Sequence, residues 1–162
     1  FMSASQFSPA VPERIAIVVA KFNAQVTEWL RQGAQQALLD LGMEPDQIDT
    51  IHVPGAWELP LACHQLAMAG RHQGIIALGA VIRGETAHFD FISQECARGL
   101  GQVALETGVP VGFGVLTTEN AEQAFERADP NRKDKGREVA EAVVEMVTLS
   151  QTQPVWSGPD EF

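Results

Sequence analysis

The sequence predicts an α/β fold, a three-layer α/β/α sandwich built on a four-stranded parallel sheet. Two observations predict it: four short β-type runs, most of them continuously apolar, and longer segments between them whose apolar residues recur at helical spacing. Strands that are apolar throughout, instead of alternating, belong in a parallel sheet covered on both faces. No internal repeat or low-complexity linker interrupts the pattern, so the 162 residues are read as one domain with a substantial core.

The elements follow in order. "IAIVVA" at 15–20 is a buried strand, and Asn23 is placed to cap the helix after it. That helix carries Val26, Trp29, Leu30, Ala34, Ala37, Leu38 and Leu41 on one stripe and stops at Gly42. "IDTIHV" at 48–53 is the second strand, ending at Pro54-Gly55, and 57–70 is a helix that tolerates Pro60 because it falls in the first turn. A third strand at about 75–82 leads into a long helix at about 87–107, and "VGFGVLT" at 111–117 is the fourth strand. Thr118 or Glu119 opens a short helix reaching about Ala128. The last helix, at about 136–149, sets Val139, Val143 and Met146 on one face and Glu138, Glu141 and Glu145 opposite. The domain is bounded at 13–149, with a flexible N-terminal arm at 1–12 and a C-terminal tail at 150–162.

Composition removes several function classes. At 45% hydrophobic and 20% charged residues the chain is an ordinary globular protein. Nothing approaches the roughly 18 consecutive apolar residues of a membrane span. The start, "FMSASQFSPAVPER", is polar and proline-containing, unlike a secretory signal. Cys63 and Cys96 stand alone in apolar helical contexts, which predicts buried free thiols in the reducing cytoplasm. A formal charge of −10 opposes general binding to nucleic acid or an anionic membrane. Yet Arg127, Arg132, Lys133, Lys135 and Arg137 cluster in a chain with only 11 Lys and Arg. They form either a solvated helix entry or an anion site suited to phosphate.

Ligands of open parallel sheets bind outside the carboxyl ends of the strands. There is no GxGxxG after the first strand and no GxxxxGK[ST] anywhere, so the common dinucleotide and triphosphate fingerprints are absent. After the third strand, Gly84-Glu85-Thr86 offers N–H groups at a helix start, with Thr86 read either as a phosphate ligand or as an N-cap. His88 lies one step further, where the helix dipole favours a neutral, proton-accepting ring; the alternative is a histidine bonded to a neighbouring loop. Phe22 and Trp57 directly follow the first and second strands and suit a planar heterocycle, or serve as hydrophobic plugs. Glu58 could meet polyol hydroxyls or simply favour the helix start. Gly112 and Gly114 flank Phe113 within a strand, a pattern that marks close approach by a ligand or another backbone. His52, His64 and His72 are read as structural or surface groups.

Together "KFN" at 21–23, "VPGAWELPLA" at 53–62, "GAVIRGETAHFDFI" at 79–92, "GVPVGFGVLTTENAEQAFERA" at 108–128 and "KG" at 135–136 resemble the 6,7-dimethyl-8-ribityllumazine synthase family over roughly 13–149. The resemblance implies a flavodoxin-like fold. It also implies condensation of 5-amino-6-ribitylamino-pyrimidinedione with 3,4-dihydroxy-2-butanone 4-phosphate, losing phosphate and water, with no metal or organic cofactor. On that likeness Phe22 and Trp57 flank the pyrimidine, Ala56, Trp57 and Glu58 position the ring and ribityl chain, and Val81 and Ile82 meet the heterocycle. Gly84, Glu85, Thr86 and Arg127 hold the phosphate, and His88 transfers protons. Phe113, Arg127 and Lys135 belong to a neighbouring subunit's side of the site, so the enzyme is complete only as an oligomer, a pentamer or a multiple of it. Riboflavin synthase is a candidate partner.

Trp57 stands where phenylalanine is more usual, and "DPNRKD" at 129–134 replaces a glycine-richer loop that influences pentamer or shell assembly. Glu85 must point away from phosphate or meet a cation such as Arg83. Two competing readings are a catalytically silent shell or ligand-binding scaffold, and a phosphosugar enzyme with Lys21 or Lys135 as an imine-forming lysine.

Overall fold

In the computed structural model, which describes residues 11–152, β1 (Ile15–Ala20) is buried at every position. Its side chains alternate between two cores. Ile15, Ile17 and Val19 face α1 (Ala24–Asp40) and α5 (Lys135–Thr152), packing with Leu30, Leu38 and Val143. Ala16, Val18 and Ala20 face α2 (Leu59–Ala69) and α3 (His88–Thr107), packing with Leu59, Cys63, Cys96 and Leu100. An alternating strand has one dry face; this one has two, which is why its sequence reads as an unbroken apolar run. Fully burying a residue of this size contributes about 1.5–3 kcal/mol relative to leaving it exposed.

The sheet is parallel throughout, with β2 (Ile48–Val53), β1, β3 (Gly74–Ile82) and β4 (Val111–Thr118) paired in the order β2-β1-β3-β4. The chain moves one way from β1 to β2 and the other way to β3. This reversal opens a crevice between the carboxyl ends of β1 and β3, where ligands of such sheets bind. The short α4 (Ala121–Ala128) lies with α1 and α5, and Trp29 meets Phe125 edge to face at 5.8 Å.

Several expectations change in detail. Asn23 precedes α1 but makes no side-chain cap bond; its backbone is left-handed, at φ 61 and ψ 50. A one-turn 3₁₀ helix, Ala56–Glu58, takes the place of the first turn of the helix expected at 57–70, and Pro60 does sit in the opening turn of α2. Asn120, not Thr118 or Glu119, caps α4, its Oδ1 accepting from the Gln123 N–H at 2.8 Å. On α5, Met146 is exposed, and Val147 takes the core position with Val139 and Val143.

The reason for the two glycines around Phe113 is also internal to the chain. A Cβ on Gly112 would lie 2.6 Å from Val139 and Val143, and one on Gly114 would lie 2.5 Å from Leu78. They admit α5 and a neighbouring strand, the Gly114 Cβ position lying also 2.9 Å from the Ala77 carbonyl oxygen, which is the close backbone approach such glycines mark.

The expected arm at 1–12 and tail at 150–162 fall largely outside the described residues, and α5 runs past 149 to Thr152. Among the described residues no helix is long and apolar enough to cross a membrane, and no group of three or more His, Cys, Asp or Glu is placed to hold a metal. Cys63 and Cys96 are free and buried; burial pushes the thiols up to about 12 and about 11.

Candidate active site

Three chain segments leave the carboxyl edge of the sheet side by side. After β1, the Lys21 and Phe22 N–H groups donate to the carbonyls of Val53 and Pro54 at 2.8 and 3.1 Å, which binds the first exit to the second. After β2, the 3₁₀ turn projects Trp57 outward and folds Glu58 back, so that its Oε2 accepts from the Gly55 N–H at 3.0 Å. After β3, the chain runs through Gly84, Glu85 and Thr86 into α3, whose first residue is His88.

These exits enclose a cavity of about 600 Å³, within the range of small-molecule sites. Phe22 and Trp57 line it while 71% and 60% exposed. Two large rings left in solvent next to an apolar hollow are inconsistent with hydrophobic plugs, which would be buried. Ala56, Glu58, Val81, Ile82, Gly84, Thr86 and His88 complete much of the wall. The Glu58 Oε2 closes the helix start, as one of its two readings expected, and Glu58 also lines the cavity.

The floor of the anion segment is open. Among the described residues nothing lies within 4 Å of where a Cβ on Gly84 would sit, so their packing does not require glycine there. Thr86 is not the N-cap of α3; Ala87 holds that position, and the Thr86 hydroxyl only accepts a long 3.4 Å bond from the His88 N–H. Of the first N–H groups of α3, that of His88 makes this long bond and that of Asp90 donates to the Ala87 carbonyl at 3.0 Å, which leaves the Phe89 N–H without a backbone partner among the described residues. Arg83 does not meet Glu85. Its Nε donates to Glu119 at 2.8 Å, a second nitrogen lies 3.5 Å from Asp90, and its guanidinium stacks 4.4 Å over the Phe89 ring. The Glu119 bond, helped by Asp90, raises the guanidinium further above its ordinary range. Glu85 is exposed and has neither ion pair nor side-chain hydrogen bond among the described residues.

The remaining expected residues lie elsewhere in the chain. Arg127, on α4, donates to the Gln123 carbonyl at 3.1 Å and pairs with no carboxylate among the described residues. With Lys133 and Lys135 it lines a hollow of about 340 Å³ beside β4. Phe113 and Lys135 border an adjoining groove of about 410 Å³, where the Lys135 Nζ meets Glu138 at 3.0 Å. Neither hollow shares a lining residue with the main cavity. Of the five clustered cations, Arg132, Lys135 and Arg137 have carboxylate partners.

The family model described as 6,7-dimethyl-8-ribityllumazine synthase matches residues 12–151. The chain belongs to that family. The match spans every strand and nearly all of the last helix, so it covers the cavity and the separate basic edge together.

6,7-Dimethyl-8-ribityllumazine synthases are transferases of riboflavin biosynthesis, joining a ribitylaminopyrimidinedione to butanone phosphate. In this member the chain brings Phe22, Ala56, Trp57, Glu58, Val81, Ile82, Gly84, Thr86 and His88 to one cavity. Phe113, Arg127 and Lys135 stay apart from it. Sequence reasoning missed Phe89 and Ile92, which also line the cavity. Their signal was the i, i+1, i+4 spacing with His88 on one helix, which reads equally well as a core stripe.

Proposed function

We propose that the cavity between the exits of β1, β2 and β3 binds the ribitylaminopyrimidinedione, and that an adjacent subunit completes it with Phe113, Arg127 and Lys135. The observation that carries this reading is the pair of exposed rings, Phe22 and Trp57, lining one cavity with Glu58 and His88. Stacked aromatic faces suit the flat ring. The Glu58 Oε1, which has no partner among the described residues, can accept ribityl hydroxyls while Oε2 keeps its bond to Gly55.

The chemistry needs no enzyme nucleophile. The 5-amino group of the pyrimidine attacks the ketone of the butanone phosphate and water leaves to form the imine; phosphate is then eliminated, and the ribitylamino nitrogen closes the ring on the remaining carbonyl with loss of a second water. His88 moves protons in these steps. Gly84, Thr86 and the start of α3 hold the phosphate, with Arg127 from the neighbour balancing the charge as it leaves. Glu85 is assigned to the same phosphate segment, its carboxylate turned to solvent and its backbone N–H toward the anion. Orienting two substrates is itself worth about 7–11 kcal/mol in favourable cases. The lysines considered for imine chemistry fit less well: Lys135 is paired with Glu138 and lies outside the cavity.

A ring of five subunits, or assemblies of such rings, supplies the neighbour, and the cytoplasm is the compartment that keeps Cys63 and Cys96 reduced. Riboflavin synthase remains a candidate partner through the shared product. The test is to mix the purified protein with both substrates and follow lumazine absorbance. Acceleration over the spontaneous condensation is expected, and His88→Ala should lower kcat on the order of 10²-fold with a smaller change in KM. No acceleration by the wild-type protein would leave the catalytically silent scaffold as the correct reading.

A further inference from the structure

Among the described residues, one side-chain hydrogen bond crosses the mouth of this crevice. Pairing between β1 and β3 ends at Val19 and Leu78, whereas β3 continues to Ile82. Beyond that point no backbone ladder connects the lip that carries Phe22 to the lip that carries Val81 and Ile82. Asn23 spans the gap: its Nδ2 donates to the Ala80 carbonyl at 2.9 Å. Ala80 is buried and lines the cavity.

The backbone of Asn23 accommodates this reach. At φ 61 and ψ 50 it is left-handed, one of only two non-glycine residues in the described chain with positive φ. Asparagine tolerates that region better than most residues, and glycine best. An asparagine before a helix ordinarily spends its side chain on the cap, and here it does not. The same turn is fixed on its other side by the Phe22 N–H to Pro54 bond at 3.1 Å. The Phe22 ring is 71% exposed, so packing does little to hold it, and its placement depends on its backbone, which the Lys21 N–H to Val53 and the Asn23 carbonyl at the start of α1 also hold; among these anchors only the Asn23 amide reaches the β3 lip.

We infer that Asn23 is a positioning residue for the pyrimidine substrate, setting the separation between the Phe22 ring and the Val81-Ile82 edge through its bond to the Ala80 carbonyl. The inference rests on the assignment of Phe22 to the pyrimidine ring proposed above. It predicts a selective effect, because the phosphate segment from Gly84 to Thr86 lies beyond the Asn23 contact, on the far side of Ile82.

The test compares three variants by steady-state kinetics in both substrates, with circular dichroism and thermal melting as folding checks. Asn23→Gly keeps the left-handed backbone without strain and deletes the amide. Asn23→Asp keeps the side chain's size but sets a carboxylate oxygen against the Ala80 carbonyl, and it preserves a second route if the glycine variant folds poorly. Both should raise KM for the pyrimidine roughly tenfold, the scale of one lost hydrogen bond, while KM for the butanone phosphate stays within about twofold. A merely structural role would instead lower kcat in proportion to folded protein and leave both KM values unchanged, and that result would overturn the inference. Phe22→Ala serves as the reference. If it raises the pyrimidine KM while the Asn23 variants do not, this inference alone fails; if it has no effect, the ring assignment is wrong and the inference falls with it.

Discussion

At the foot of the sheet, away from the cavity, Asp49 accepts from two partners. His72 Nε2 lies 2.7 Å from its Oδ2, and Arg14 Nη1 reaches both oxygens at 2.9 Å. The His72 contact first, and Arg14 after it, hold the carboxyl below its ordinary value of 3.8. A depressed acid stabilises the fold above the unfolded pKa and loses that contribution as pH falls through the lower, folded one. Asp49 is 36% exposed in its side chain, so the pairing is worth about 0–1 kcal/mol and is screened by salt. Asp49→Asn should therefore lower Tm by at most roughly 2–4 °C at pH 7. The deficit should close as the pH drops below about 4, which melting curves of both proteins across that range would show. A deficit independent of pH would mean that shape, not charge, holds the three residues together. The sequence did not reveal this cluster, because Arg14, Asp49 and His72 are far apart in the chain and meet only through the register of β1, β2 and β3.

Between elements, the tightest approach is that of α1 and α5. A Cβ on Gly136 would overlap the Leu30 carbonyl, and one on Gly33 would collide with the Asp134 carboxylate. The obstacle at Gly33 is a side-chain carboxylate, whereas at Gly136 backbone meets backbone. Gly136→Ala gains at most about 1 kcal/mol of helix propensity, whereas overpacking of this kind costs about 1–3 kcal/mol. A lower Tm without loss of the parallel-sheet circular dichroism signal is expected; an unchanged or higher Tm would show that the helices can slide apart freely. The elements themselves were largely legible in the sequence, since continuous apolar runs and 3.6-residue stripes are local signals and β1, β2 and α1 begin where those signals do. What was not legible depended on tertiary contacts. Asn23 has the composition of an N-cap, but a carbonyl across the crevice competes for its amide. Met146 and Val147 are adjacent apolar residues, and only the angle at which α5 lies on the sheet decides which one enters the core. Glycines at 112 and 114 suggested close approach by a ligand or another backbone, and only the packing of α5 and β3 shows which atoms come near.

For the whole molecule, the division of the expected site into two surfaces is the central fact. His88 faces the main cavity, and Arg127 faces a separate hollow beyond the edge strand β4, with no lining residue in common. If both act on one substrate, as in the proposed ring, they come from different copies of the chain, one subunit's cavity facing the next subunit's basic edge. Subunit mixing tests this directly. His88→Ala and Arg127→Ala should each be strongly impaired alone, the second chiefly toward the phosphate substrate. When the two variants are co-assembled at equal amounts, half of the cavities carry a native His88. Half of the facing edges carry a native Arg127, so random rings contain about a quarter of wild-type sites. Activity should rise to about that level from two nearly inactive parents. Were His88 and Arg127 to serve a site within one chain, every mixed assembly would lack one or the other in each subunit, and co-assembly would recover nothing.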